Sequence, residues 1–167
     1  QYADANLILQ SESLATAPWS PTNGATVADV SVTNPIGGAT ATQLTAGGPN
    51  NSVLQGPSLA ANVPHTVRFW VRGGTSTQMQ FGYFSSGSGF QTASDIAVVG
   101  NGSVTGSGLM LITGLSTTTW TQVTFTLGSP ATAGGSLLFY PDTASPTVGR
   151  TNFVWGVQIN AGTTANP

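Results

Sequence analysis

The sequence predicts an all-β fold, an antiparallel two-sheet β-sandwich of the jelly-roll type, and three observations carry that expectation. Apolar residues alternate with polar ones in short segments along the whole chain, helical periodicity is almost absent, and clusters of Gly, Pro, Asn and Ser punctuate the segments. About eleven segments, each with one oily face, are best buried by packing two sheets about 10 Å apart. An immunoglobulin-type sandwich is the main competitor. It is disfavoured because the strand count is high and the chain has 0 Cys, so the pair that would join the sheets is missing.

In chain order, strands are expected over Leu7 to Gln10, Thr26 to Val32, Thr40 to Leu44, Ser52 to Gln55, Thr66 to Arg72 and Gln78 to Phe84, then over Ser94 to Val99, Leu109 to Thr113, Thr119 to Leu127, Ser136 to Tyr140 and Asn152 to Ile159. Reversals are expected at Asn23-Gly24, Gly37-Gly38, Gly47-Gly48-Pro49, Gly73-Gly74, Asn101-Gly102 and Gly134-Gly135, which tolerate the positive φ of tight turns. The sequons at Asn50 and Asn101 read as turns. Ser11 to Ala17 reads as a helical turn, with Ser11 as cap and Pro18 as stop.

The clearest strand sets Val67, Phe69 and Val71 on one face and Arg68, Trp70 and Arg72 on the other. After Gly73-Gly74, Met79, Phe81 and Tyr83 alternate with Gln78, Gln80 and Gly82, so these two strands are expected to form a hairpin. Val123, Phe125 and Leu127 alternate with Gln122, Thr124 and Thr126. Phe153, Trp155, Val157 and Ile159 alternate with Val154, Gly156 and Gln158, as in a central strand covered on both faces.

The 167 residues read as a single domain, 1–167, with 1–5 and 161–167 as terminal extensions. The chain starts with Gln rather than Met, as it would with an N-terminal piece processed, trimmed or left out. Its charges are five acids, Asp4, Glu12, Asp29, Asp95 and Asp142, and three bases, Arg68, Arg72 and Arg150. Disorder normally goes with high net charge and few aromatics, whereas this chain has 4 Trp and 7 Phe. A net charge of -2 gives no basis for neutralising a phosphate backbone, so no nucleic acid partner is expected. No apolar run approaches the roughly 18 residues of a membrane span, so no membrane insertion is expected either.

Catalysis is not expected, because acid–base chemistry needs positioned titratable groups and few exist here. His65 reads as an exposed or hydrogen-bonded loop histidine. Asp29, Asp95 and Asp142 read as loop or strand-edge carboxylates, not a glycosidase pair. No Gly-x-Ser-x-Gly elbow or phosphate-cradling glycine loop is present. A structural Ca²⁺ could draw on Asp4, Glu12 or backbone carbonyls, but no ligand spacing marks such a site, so no metal or other cofactor is expected.

Four segments carry a resemblance: Asn6-Leu7-Ile8-Leu9-Gln10-Ser11-Glu12 with Trp19 downstream; Thr66 to Gly74; Thr119-Trp120-Thr121-Gln122-Val123-Thr124-Phe125; and Val154-Trp155-Gly156-Val157-Gln158-Ile159-Asn160-Ala161-Gly162-Thr163. In order and spacing they resemble the carbohydrate-binding-module-like jelly rolls of bacteriophage tail and virion proteins. Residues 75 to 117 share no motif with that family. Asn160 stands where it usually has Glu, Leu14 where an aromatic is common, and the closing aromatic is missing.

The resemblance implies a non-enzymatic virion surface protein that adheres to host glycans from a tail fibre or spike. The first alternative is a capsid decoration or head-fibre protein that coats and stabilises the particle through protein–protein contacts. The second is an accessory carbohydrate-binding module of a secreted bacterial enzyme. Virion proteins, host-surface polysaccharide and further copies of the chain in a homo-oligomer such as a trimer are the partners it implies. Sugar sites set an aromatic ring against the apolar face of a pyranose, with polar side chains on the hydroxyls. The candidate glycan-binding residues are therefore Arg68, Trp70, Arg72, Gln78, Gln80 and Gln122.

Overall fold

A computed structural model describes residues 5–128 and 134–164, and every regular element among them is a β-strand. Two antiparallel sheets face each other. The first runs in the order β1 (Ser20–Thr22), β4 (Ser52–Gln55), β12 (Ser136–Pro141), β6 (Gln78–Ser85), β10 (Met110–Thr113), β9 (Ser103–Thr105), with β7 (Gly89–Phe90) beside the end of β6. The second runs β2 (Thr26–Val30), β3 (Ala41–Thr45), β13 (Thr151–Ala161), β5 (His65–Gly73), β11 (Thr121–Leu127), β8 (Ala93–Val99). This is a jelly-roll sandwich, with ten of the strands close to their expected places.

The period-two pattern becomes the core directly. Val67, Phe69 and Val71 from β5 point inward from one sheet, and Met79, Phe81 and Tyr83 from β6 point inward from the other; all six are fully buried. Phe69 lies edge-on to Phe81, with centroids 5.0 Å apart, and to Phe139 of β12 at 4.9 Å. Phe125 of β11 joins from the second sheet, 5.8 Å from Phe81. Edge-to-face contacts like these add to burial because a ring's positive edge meets its neighbour's negative face.

Strands β5 and β6 do not form a hairpin: they lie in opposite sheets, face to face. Alternation shows only that a strand has one oily side. Two consecutive strands can satisfy it either by pairing edge to edge or by meeting across the core. Here the Gly73-Gly74 link crosses between sheets, tied by Gly73 N–H to Ser116 O and by Gly74 N–H to Thr151 O. Among the described residues, β2–β3, β6–β7 and β9–β10 are the pairs that are both consecutive and hydrogen-bonded.

Other differences are local. Leu7 to Gln10 forms no strand, although Leu7 N–H bonds Ile159 O, and Ser11 to Ala17 forms turns instead of a helical turn. The segments β1, β7 and β9 are too short, at two or three residues, to show a pattern. His65 is hydrogen-bonded as expected, Nδ1 to Val63 O, but it opens β5 and is fully buried, so it lies in a strand and not in a loop. Ala161 still belongs to β13, and Gly162 N–H bonds Pro64 O, so the second sheet extends past the expected end at Ile159.

Candidate functional site

The outer face of the second sheet gathers the chain's least expected surface chemistry. From β5 it presents Arg68, Trp70 and Arg72, all partly exposed. Register then places Gln122 of β11 opposite Trp70, and sets Trp155 and Phe153 of β13 opposite Trp70 and Arg72 on the other side. Partners opposed across an antiparallel pair share a face. The face therefore carries two indoles, one phenyl ring, two guanidiniums and glutamine amides.

Strand β13 reaches this arrangement through a bulge. Between Trp155, opposite Trp70, and Gln158, opposite Arg68, it has one residue more than β5. Gly156 sits there at φ 64°, and a Cβ on it would lie 3.4 Å from Trp70 Cδ1. The bulge splits the expected alternation: Phe153 and Trp155 face outward, while Val157 and Ile159 turn into the core. A glycine within an otherwise apolar strand is the sequence signal for such a bulge. Gly156→Ala is expected to cost about 1–2 kcal/mol for the left-handed conformation and to change the intrinsic tryptophan emission by shifting Trp70; urea unfolding followed by fluorescence checks both.

Walls rise over this floor. Residues 31–40, which link β2 to β3, reach across the sheet so that Thr33 O accepts a hydrogen bond from Trp120 Nε1 at 2.9 Å, just before β11. Asn34 stiffens this strap: its Oδ1 accepts from Ile36 N and Gly38 N, and its Nδ2 donates to Thr40 O. On one side of Trp70 lies a cleft of about 590 Å³ between the strap, Arg72 and Thr118 to Trp120. On the other side lies one of about 300 Å³, floored by Arg68, Gln122, Trp155 and Gln158, with Glu12 and Ile36 at its edge. Trp70 borders both, so the two form one groove with an indole at its middle.

Among the described residues no counter-charge pairs with the groove's two cations. Arg72 lies between two rings, its guanidinium carbon 4.6 Å from the Phe153 centroid and 5.5 Å from that of Trp120. Arg68 donates from Nη2 to Gln158 Oε1 at 2.7 Å. Both Nε atoms are buried without a hydrogen-bond partner, and burial pulls both guanidiniums below the ordinary arginine value.

Of the sequence-predicted site residues, Arg68, Trp70, Arg72 and Gln122 meet in this groove. Gln78 and Gln80 do not: they belong to β6, on the opposite sheet. Their grouping with Trp70 assumed the hairpin. Instead Gln78 Nε2 donates to Asp142 Oδ1 at 3.1 Å, and Gln80 Oε1 accepts from Ala144 N at 2.7 Å. Both glutamines hold the segment after β12. Trp120, Phe153, Trp155 and Gln158 enter the groove unannounced: the first precedes its strand and the others depend on the bulge. Of the calcium donors considered, Glu12 is exposed on the rim, and Asp4 lies outside the described residues.

No protein-family model matches the chain, and no curated protein matches it. Solved structures do. The xylan-binding domain of CBM22 superposes with a TM-score of 0.59 at 10% identity, covering 98% of this chain and 100% of its own. A CBM4 structure gives 0.57 at 14% identity, covering 90% and 92%. An arabinose-bound GH51 α-L-arabinofuranosidase gives 0.58 at 14% identity; the match covers 95% of this chain but 25% of the enzyme chain. At these identities the shared property is the fold: the chain has the jelly roll of carbohydrate-binding modules.

Proposed function

We propose that the chain is a non-catalytic glycan-binding module whose ligand lies in the groove across the second sheet, against Trp70. The observation that carries this reading is the groove itself: an indole at the junction of two open clefts, flanked by guanidinium and amide groups that can hydrogen-bond sugar hydroxyls. An aromatic face takes the C–H side of a pyranose, and Arg and Gln fix its polar edge. Among the described residues Glu12 is the one carboxylate lining the groove, whereas most glycoside hydrolases use a pair.

The setting we infer is the surface of a phage particle, where the module would attach to host polysaccharide. The support for that setting is the four sequence segments with Trp19. An accessory role beside an enzyme is the second reading, favoured by the fold's match to one quarter of the arabinofuranosidase chain.

The test is a glycan array probed with the purified chain and with Trp70→Ala. Binding should appear on a subset of polysaccharides and fall about 30-fold or more in the variant, as for a central aromatic anchor. Absence of binding to every glycan, combined with saturable attachment to stripped virions, would replace adhesion by particle coating.

A further inference from the structure

The geometry points to an acidic glycan as the ligand of this groove: a polysaccharide whose carboxylate or sulfate groups pair with Arg68 and Arg72 on either side of Trp70. This inference rests on the glycan-binding reading and narrows it to a class of sugar.

The chain has three cations in 167 residues. Arg150 has a structural task, donating to Thr75 O and lying near Asp142. The other two stand four residues apart on one strand face, about 13 Å at strand rise, longer than a single hexose, with the indole between them. A surface otherwise covered by Thr, Ser, Asn and Gln could satisfy neutral hydroxyls with amides alone.

The two guanidiniums are also costly as they stand. Each has a buried Nε without a partner, and neither is joined by an ion pair among the described residues. Glu12, the one acid among the described residues lining the groove, is exposed, and the hydrogen bond of Arg68 goes to Gln158 Oε1. A partly desolvated cation without a counter-ion costs free energy unless something charged arrives to pair with it. Arg72 is moreover placed over two rings, its guanidinium carbon 4.6 Å from the Phe153 centroid and 5.5 Å from that of Trp120, so both rings limit where its fork can point before any ligand binds. A planar fork suits a carboxylate or sulfate, which accepts two parallel N–H bonds. Oxygen pairs of this kind occur on uronic acids and on sulfated sugars; one chemistry covers both.

Affinity electrophoresis separates the cases. The wild-type chain is run through gels containing polygalacturonate, κ-carrageenan, or neutral xylan and hydroxyethylcellulose. Retardation by polygalacturonate alone identifies a uronate ligand, by κ-carrageenan alone a sulfated one, and either supports the inference. Arg72→Gln and Arg68→Gln should each weaken that binding about tenfold or more, the loss expected for a charge-assisted hydrogen bond, while Trp70→Ala removes it. Should the variants fold poorly, wild-type protein on fully methyl-esterified polygalacturonate tests the same point, and retardation should disappear. Equal, Trp70-dependent retardation by neutral and acidic polymers would overturn the acidic assignment and leave glycan binding standing. No retardation by any polymer would overturn both.

Discussion

Phe69→Ala is expected to lower the stability of the fold by about 3–5 kcal/mol, the range for emptying a buried aromatic position. Phe69 is fully buried at the middle of β5 and touches two rings of the opposite sheet edge-on, Phe81 at 5.0 Å and Phe139 at 4.9 Å. Its loss removes apolar burial and both ring contacts at once. The walls of the hole are strand backbones tied into two sheets, so they cannot easily collapse to fill it. For a chain of this length each kcal/mol shifts the melting temperature by about 2–4 °C, so a fall of about 6–20 °C should be read by calorimetry. Phe69→Leu, which keeps most of the volume, should cost about 1–2 kcal/mol. Equal losses for the two variants would show that ring packing contributes little.

Asp142→Ala should cost about 3–4 kcal/mol, because three donors lose their acceptor around a carboxylate that is itself buried. Asp142 is 6% exposed at the end of β12, at φ 65°. Ser76 Oγ donates to its Oδ1 at 2.7 Å along with Gln78 Nε2, and Thr147 N donates to Oδ2 at 2.9 Å. Asn152 completes the knot, its Oδ1 accepting from Asp142 N and its Nδ2 donating to Ser76 O and Gln78 O. Burial alone would push this carboxyl up. The hydrogen bonds from Thr147, Ser76 and Gln78, with the nearby charge of Arg150, outweigh it and hold the group below the usual carboxylate range.

A folded-state value below the unfolded one means that the contribution is complete above the ordinary aspartate range. It drains away as pH falls through the depressed folded value, where the native carboxylate takes up its proton. Asp142→Asn accepts the same positive φ but keeps one acceptor, so it should lose less stability than alanine. The gap between wild type and Asp142→Asn should narrow as urea unfolding is repeated from about pH 7 down to about pH 2. A gap that stayed constant would mean that the charge on Asp142 contributes nothing.

The strands were legible wherever one face is oily and the other polar over five residues or more, because that contrast is what a two-layer sandwich imposes on a chain. Thr66 to Arg72 is the clearest case, and its outward trio, Arg68, Trp70 and Arg72, lies at the centre of the groove. Pairing was not legible. Alternation in β5 and β6 is equally compatible with side-by-side and face-to-face placement, and that ambiguity carried Gln78 and Gln80 to the wrong sheet. The bulge at Gly156 hid Trp155 in the same way: one inserted residue reverses which members of a strand look outward. The strap over residues 31–40 has no periodic signature, since its shape comes from Asn34 hydrogen-bonding to its own loop.

Strand β13 comes last among the strands in sequence, yet it sits between β3 and β5 in the interior of the second sheet. During synthesis, the earlier strands of that sheet must wait with two unsatisfied edges until this segment leaves the ribosome and inserts between them. Closure over such separations is slow compared with forming local hairpins. Trp155 and Gln158 arrive with the same strand, so an assembly lacking β13 would present Arg68, Trp70 and Gln122 without the part of the groove floor that lies opposite them.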